Sequence, residues 1–276
     1  MNCGISKGAA IEKVHGNLTG LGPDEIKRIG QLYRRRVPPE RVVTHDLARQ
    51  LTELSREINR QIGILITRRG EIAFVIVGSH HNIIIPSLDG FRASSRRFKG
   101  LRLIHTHLSG EGLTTDDLTD LALLRLDLVC AVTAGEDGLP GLAHTAHLIP
   151  ENPEGRYWLL LDPRRPAEME LDFTAFIAAL EGEVTKRQTT RKVEAVDRAI
   201  LVRVETRPFS DSEASIAELR ELCRTAGVEV FDAVIQHRSE VDHRYLIGKG
   251  KLSDLVIRGL QMDANLLIFD HELTAA

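Results

Sequence analysis

The sequence is poor in cysteine and in aromatic residues, and it has no excess of positive charge. Among 276 residues there are three cysteines, far apart and odd in number, and aromatic residues make up 4%. Widely spaced cysteines favour reduced thiols in a cytoplasmic protein over a disulfide framework, so we predict no disulfide partner. The net charge of −3 excludes a general attraction to nucleic acid. Any RNA contact must therefore come from a local basic patch.

The sequence also lacks long hydrophobic runs and a P-loop. No apolar run approaches the length of a membrane span, and the N-terminus has no signal-peptide core, so we predict no membrane association. A P-loop requires G-x-x-x-x-G-K-[ST], but Leu252 follows Lys251 where Ser or Thr should stand. We therefore predict no nucleotide-binding residues in this chain.

The composition is that of an ordinary globular protein, with 42% hydrophobic and 27% charged residues. The length is sufficient for two domains. Residues 1–22 are small, polar and glycine-rich, so we expect a loosely held N-terminus. We predict a first domain over 23–187, a polar linker over 188–198 and a second domain over 199–276.

The first domain mixes helical and strand patterns. Apolar residues at helical spacing predict a helix over Asp46–Asn59, and two β-rich runs then predict a hairpin of Ile62–Thr67 and Ile72–Val77. Residues 82–88 are predicted as a third strand and Leu101–His107 as a fourth. A hairpin combined with helices predicts an α+β domain.

The second domain alternates strands and helices. We predict strands over Ala199–Val204, Val228–Gln236 and Leu266–Phe269, with a helix between each pair. This alternation predicts a small α/β domain with a parallel sheet and right-handed crossovers.

Two separated motifs of the second domain resemble a known family. Residues 245–252 read YLIGKGKL and residues 264–274 read ANLLIFDHELT. This segment, from near Ala199 onward, resembles the N-terminal domain of HflX-type GTPases, which are translation factors. The resemblance implies a module that docks on ribosomal RNA of the large ribosomal subunit and regulates the protein. It also implies that a helical arm and a GTPase domain, which would bind GTP and Mg²⁺, lie outside this chain.

A glycine–lysine sequence precedes the last predicted helix. Glycines and lysines at a helix N-terminus attract phosphate, which makes Lys249 and Lys251 candidates for nucleic-acid contact, with help from Arg244. The alternative is a tight glycine turn with solvated lysines.

A His-x-His pattern in the first domain predicts a metal site. On a strand, His105 and His107 lie on the same face, and Asp117 arrives from the next helix. Two imidazoles and a carboxylate are suitable zinc ligands, and a water could take the fourth position. Asp116 competes with Asp117 for the ligand role.

The segment around these histidines resembles the JAMM/MPN metalloprotease motif and the related RadC motif. The resemblance implies an MPN-like fold and an upstream glutamate as general base, for which Glu57 is the candidate, with Glu53 behind it. The chain departs from that pattern at Leu108, where the family has proline, and in a shortened spacing to Asp117. The alternative is that the two histidines hydrogen-bond within an MPN-like fold that holds no metal.

Three function hypotheses follow. The chain is the docking and regulatory part of an HflX-like GTPase, or its first domain is a zinc hydrolase fused to that module, or the first domain is a non-catalytic interaction scaffold. Metal content separates the second hypothesis from the others, and binding to ribosomal subunits separates the first from the third.

Overall fold

The computed structural model of the protein describes residues 13–88, 91, 98–149, 158–190, 197–205, 212–238, 246–262 and 264–271. The chain divides into two compact units, and the division falls inside one helix, between Glu183 and Val184. The combination of an α+β first unit and a parallel α/β second unit confirms the predicted fold class.

Within the described residues, the first unit is built on a seven-stranded sheet of order β1-β3-β2-β4-β5-β6-β7. The strands are β1 (Val14–Gly16), β2 (Ile62–Thr67), β3 (Ile72–Val77), β4 (Leu101–His107), β5 (Leu128–Ala134), β6 (Pro140–Leu148) and β7 (Trp158–Leu160). The pairs β1–β3 and β4–β5 are parallel, and the other neighbours are antiparallel. Strand β4 lies in the middle of the sheet, and every one of its residues is buried.

Among the residues that the structure describes, four helices belong to this part of the chain: α1 (Pro23–Gly30), α2 (His45–Ile58), α3 (Thr115–Leu123) and α4 (Phe173–Thr190). Short 3₁₀ helices cover Gln31–Arg34 and Pro166–Glu168. Helix α2 begins where the Thr44 side chain accepts the Leu47 N–H and ends at Asn59, which has a φ of 51°. A polar N-cap and a left-handed asparagine are common helix boundaries.

Helices pack on both faces of the sheet. On one face, Leu51 of α2 and Phe173 of α4 pack with Ile64 of β2 and Ile104 of β4. On the other face, Leu121 of α3 belongs to a separate core cluster, whose strand residues include Leu65 of β2, Leu103 of β4 and Val129 of β5. Helices α2 and α3 therefore lie on opposite faces of the same strands.

Two expectations for the first domain differ from the structure. Residues 82–88 form no strand; Ile83 instead packs onto the sheet, close to the Cα atoms of Gly63 and Gly78. The N-terminal segment is not loosely held throughout, because Val14–Gly16 pairs with β3. The hairpin of β2 and β3 and the strand β4 are confirmed.

The second unit is a three-stranded parallel sheet of order β10-β8-β9 within the described residues. Its elements are β8 (Arg198–Glu205), α5 (Ser212–Thr225), β9 (Glu229–His237), α6 (Lys249–Met262) and β10 (Leu266–Phe269). Ile216 of α5 packs with Leu201 of β8, whereas Leu255 of α6 packs with Ile200, so the two helices cover opposite faces.

The region between α4 and β8 is shorter than the predicted linker over 188–198. Helix α4 continues to Thr190, so the first three residues of the range 188–198 are helical. Strand β8 begins at Arg198, the last residue of that range. Residues 191–196 lie outside the described part of the chain.

Two further features bear on the sequence expectations. Cys130 and Cys223 are unpaired and buried, and Cys3 lies outside the described residues. Among the helices that the structure describes, none combines the length and the apolar character that a membrane crossing requires.

Candidate metal centre

The central strand β4 directs two histidines to one face of the sheet. Residues on a strand alternate between faces, so His105 and His107 share a face while Thr106 between them points to the other. Thr106 is held on that opposite face, because its hydroxyl shares a 2.5 Å hydrogen bond with Ser55 of α2 and accepts the Ile62 N–H at 2.9 Å. The alternation of β4 therefore separates the histidines from helix α2.

The histidines meet Asp117 of α3 at a common point. Their Nε2 atoms lie 2.9 Å apart. His105 Nε2 is 3.0 Å from Asp117 Oδ1, and His107 Nε2 is 3.5 Å from Asp117 Oδ2. The exposed fractions of the three side chains are 0%, 1% and 15%. The structure thus brings together all three residues that the sequence predicts as metal ligands.

The start of helix α3 fixes the orientation of the Asp117 carboxylate. Thr114 is the N-cap, and its hydroxyl accepts the Asp117 N–H at 3.3 Å. In return, Asp117 Oδ2 accepts the Thr114 N–H and the Thr114 hydroxyl, each at 2.7 Å. This reciprocal arrangement is a capping box. It leaves Oδ1 directed at His105, whereas Asp116 is exposed, so Asp117 rather than Asp116 is the ligand candidate.

The electrostatics of the site favour the protonation states that bind metal. Burial, with the neighbouring His105, lowers the pKa of His107, so this imidazole is neutral at physiological pH. Burial alone would raise the pKa of Asp117, but His105 and the hydrogen bonds from Thr114 outweigh it and hold that pKa well below its usual range. Metal ligands must be deprotonated, and these two groups already are.

The distances within the site fit a zinc ion. Zinc binds histidine nitrogen and carboxylate oxygen at about 2.0–2.2 Å, and tetrahedral ligands at that distance are roughly 3.3 Å apart. The two Nε2 atoms are 2.9 Å apart and His105 Nε2 is 3.0 Å from Asp117 Oδ1, whereas the separation of 3.5 Å joins His107 Nε2 to the other carboxylate oxygen, Oδ2. The ligand atoms that the three residues offer lie within 4.8 Å of one another, close to the spacing of a zinc site. Three protein ligands leave the fourth position to water or a substrate, as in catalytic zinc sites.

The second nitrogen of His107 also has a fixed partner. Its Nδ1 lies 3.2 Å from the main-chain oxygen of Glu111, and the Glu111 carboxylate is 3.7 Å away. An Nδ1–H donated to a carbonyl leaves the Nε2 lone pair directed at the centre. His105 differs, because its Nδ1 is buried without a hydrogen-bond partner among the described residues.

The predicted general base is not at this site. Glu57 belongs to α2, on the opposite face of the sheet, and its two carboxylate oxygens bind Arg28 at 2.5 and 2.6 Å. Glu53 is likewise paired with Arg49, at 2.7 Å. The sequence shows that Glu57 lies just before β2, but it does not show which face α2 covers. The structure therefore does not bring Glu57 to the histidines, and its geometry gives no support to the assignment of Glu57 as the base.

The glycine–lysine sequence of the second unit forms the first turn of α6. The helix begins at Lys249, and the Leu252 N–H donates to the Gly248 carbonyl at 3.0 Å, so the sequence is a helix start, as expected, and not the alternative tight turn. Lys251 is half-buried. The side chains of Lys249 and Arg244, the other two predicted contacts, lie outside the described part of the structure.

The structure adds one basic residue to this helix start. Arg238 follows β9 directly, its Nη1 donates to the Leu246 carbonyl at 3.5 Å, and its Nη2 is 3.7 Å from where a side chain on Gly248 would begin. The carboxyl ends of parallel strands and the following helix starts lie at the same edge of the sheet. That rule could have identified Arg238 from its place after a predicted strand.

Comparison with known proteins concerns the second unit. Residues 213–276 match the family model described as "GTP-binding GTPase N-terminal". This range covers the described chain from the first turn of α5 to the end of β10. No solved structure matches the chain.

Curated relatives of the same type match over a short region. A GTPase HflX of Lacrimispora saccharolytica is 39% identical over 83 residues, which are 30% of this chain and 20% of that protein. The GTPase HflX of Caldanaerobacter subterraneus is 38% identical over 78 residues, 28% of this chain and 18% of that protein. The one from Alkalihalophilus pseudofirmus is 36% identical over 86 residues, with shares of 31% and 20%. The chain therefore spans about a fifth of the length of these relatives.

Proposed function

We propose that this chain is part of an HflX-like GTPase, the type of protein whose N-terminal region residues 213–276 match, and that its second unit docks on the large ribosomal subunit. The observation that carries the docking proposal is the basic start of α6, where Lys251 and Arg238 lie beside a helix N-terminus. A helix N-terminus carries partial positive charge and binds phosphate, the repeating anion of RNA. We also propose that the protein is cytoplasmic. In such a GTPase, GTP and Mg²⁺ would bind a region that corresponds to the part of the relatives that this chain does not match.

The net charge of the chain determines how such docking must work. At −3, the protein has no overall attraction to RNA, so contact depends on a few basic groups. Lysine and arginine contacts to phosphate position a protein without reading bases, and added salt weakens them through counterion release. The proposed docking is therefore local, insensitive to RNA sequence and sensitive to salt.

Replacing Lys249 and Lys251 by glutamate should weaken binding to large ribosomal subunits. Affinity falls as salt is added, and the loss of two phosphate contacts should make the plot of log affinity against log salt less steep by about 2. Cosedimentation of the protein with large subunits across a salt series measures this slope. A matched control with Lys13→Glu and Lys27→Glu makes the same charge change on exposed residues of the first unit and should bind as the wild type does. Equal binding of both double variants at every salt concentration would refute the role of α6.

A second function is favoured by the geometry of the first unit. We propose that His105, His107 and Asp117 bind a zinc ion, because their donor atoms converge at separations suited to that metal. Elemental analysis of the purified protein tests this directly and should find about one zinc per chain. A hydrolytic reaction would also need a proton acceptor beside the metal-bound water, and Glu57 is not placed for it. The supported chemistry is therefore metal binding with an open ligand position.

The capping box should couple the stability of α3 to zinc affinity. Thr114→Ala removes the N-cap and both hydrogen bonds of its hydroxyl to Asp117, which should cost about 1 kcal/mol of stability. Because the carboxylate loses a partner that orients it, zinc affinity should fall about tenfold or more. Thr44→Ala is the control, since Thr44 caps α2 in the same way on the other face of the sheet. Competition with a chromogenic zinc chelator should show weaker binding for Thr114→Ala alone.

A further inference from the structure

A buried amide precedes β2, the strand that pairs with the histidine strand β4. Gln61 directly precedes β2, its exposed fraction is 1%, and its Nε2 has no hydrogen-bond partner among the described residues. Its main chain is fully paired with the end of β3, since its N–H donates to the Ser79 carbonyl and its carbonyl accepts the Gly78 N–H, each at 2.8 Å. These two hydrogen bonds hold the backbone of Gln61 in place, while the side-chain Nε2 has no acceptor among the described residues.

The register of the sheet puts Gln61 on the face of the histidines. Gly63 of β2 is paired with His105 of β4, and a side chain on Gly63 would lie 3.4 Å from the His105 Cβ. Gln61 is two residues before Gly63, so its side chain is on the same face of the sheet as that of Gly63. Because β2 and β4 are antiparallel, extending their register by two residues from the Gly63–His105 pair sets Gln61 opposite His107. Cβ atoms of such cross-strand neighbours are about 5 Å apart. The Gln61 side chain is thus long enough to reach the space beside the metal ligands.

Unpaired polar atoms gather around this centre. His105 Nδ1 and Glu111 Oε2 are also buried without a partner in the described part of the structure. A buried donor or acceptor without a partner costs about 1–3 kcal/mol, so an apolar residue at position 61 would favour stability. Unsatisfied buried groups in native proteins commonly mark sites that a ligand or an ion completes.

We propose that Gln61 donates a hydrogen bond from Nε2 to an oxygen atom of the ligand at the fourth position of the metal. The ligand class is one with a carboxylate or carbonyl oxygen, because that oxygen can bind zinc with one lone pair and accept the Gln61 N–H with the other. This inference rests on the zinc centre proposed above. Gln61 would then be a ligand-binding residue that lowers stability in the absence of ligand.

Cobalt-substituted protein provides the test, with acetate as the probe. Tetrahedral cobalt absorbs visible light, and its bands change when acetate replaces water at the open position. Gln61→Met keeps an unbranched side chain of similar size but has no N–H donor. We expect this variant to bind one cobalt with unchanged affinity, to bind acetate about tenfold more weakly, and to unfold at the same or a higher urea concentration. Thr52→Val, which changes a buried polar residue of α2, should leave the acetate affinity unchanged.

The outcomes separate the two proposals. Wild-type protein that takes up no cobalt would overturn both the metal centre and the role of Gln61. Normal cobalt uptake with equal acetate affinity in wild type and Gln61→Met would overturn the role of Gln61 alone. Gln61→Leu is a second donor-free variant. If both variants lose cobalt or fail to fold, Gln61 is a structural residue and the inference is wrong.

Discussion

Asp117→Asn is expected to remove zinc from the protein while leaving its fold intact. The amide is nearly the same size as the carboxylate, but it lacks the negative charge. Because the oxygen on the Oδ2 side accepts two hydrogen bonds from Thr114, the NH2 group of the amide takes the position of Oδ1 beside His105, and it has no lone pair to give a metal. Changes to residues that only orient a ligand cost about 10–100-fold in metal affinity. Loss of a ligand itself should exceed that range. Elemental analysis after dialysis should find about one zinc per chain in the wild type and almost none in the variant.

The same substitution should separate the thermal stabilities of the two proteins in the presence of zinc. A metal that binds only the folded state stabilises it by about 4 kcal/mol at roughly 1,000 times its dissociation constant. Added zinc should therefore raise the melting temperature of the wild type and leave Asp117→Asn unchanged. Asp116→Asn is the control, because it removes the same charge from an exposed neighbouring residue. Loss of zinc from Asp116→Asn, or retention by Asp117→Asn, would contradict the assignment of the ligands.

Arg68→Met is expected to destabilise the first unit by about 3–5 kcal/mol at neutral pH. Asp127 is fully buried, and Arg68 binds its two oxygens at 2.6 and 3.1 Å. Removing one partner of a buried ion pair leaves an uncompensated charge, which causes losses of this size. Arg68 also binds Glu181 of α4 at 2.9 Å, so the variant loses that contact too. Urea denaturation followed by the fluorescence of Trp158, the single tryptophan, reports on this unit.

The loss should depend on pH with a definite sign. Burial raises the pKa of Asp127 in the folded wild-type protein even though Arg68 opposes this shift. Without Arg68 the folded-state pKa should rise further above the unfolded value of about 3.9. The destabilisation relative to the wild type is then complete above the folded-state pKa of Asp127 in the variant, and it declines as the pH falls toward the lower folded-state pKa in the wild type. The variant should therefore lose less stability at pH 4 than at pH 7.

An exposed ion pair provides the comparison for Arg68. Arg49 and Glu53 are one helical turn apart on α2, and both side chains are about half exposed. Such pairs contribute about 0.3–0.5 kcal/mol, so Arg49→Met should change stability by no more than that at either pH. An Arg68→Met variant that is as stable as Arg49→Met would show that the buried pair is replaceable without loss.

The convergence of His105, His107 and Asp117 was predictable because the features that identify these residues are local in the sequence. A period of two residues puts His105 and His107 on one face of any strand. The threonine and acids at positions 114–117 are typical of a helix start, although the choice between Asp116 and Asp117 came only from the capping box that the structure shows. The alternation of strands and helices after residue 198 likewise predicted the parallel sheet of the second unit. Each of these predictions depends on residues within a few positions of one another.

Other features depended on packing between distant segments. Glu57 lies just before β2, the strand that pairs with the histidine strand β4, but α2 covers the opposite face of the sheet, where Glu57 binds Arg28. Residues 82–88 contain a run of three isoleucines that is typical of a strand, yet Ile83 packs over the space that Gly63 and Gly78 leave. No local sequence pattern identifies Gln61, because the role proposed for it depends on the register of β2 against β4.

The amino-acid sequence by itself determined which side chains share a face, where most of the helices and strands lie, and which protein family the second unit resembles. The faces that side chains share and the positions of helices and strands follow from backbone periodicity and helix capping. Both depend on residues that are close together in the sequence, so distant residues need not be known. Only the tertiary structure decided which face each helix covers, which carboxylate meets the histidines, and which buried donor is left unpaired. Those outcomes depend on burial of apolar surface and pairing of polar groups between segments that are far apart in the chain.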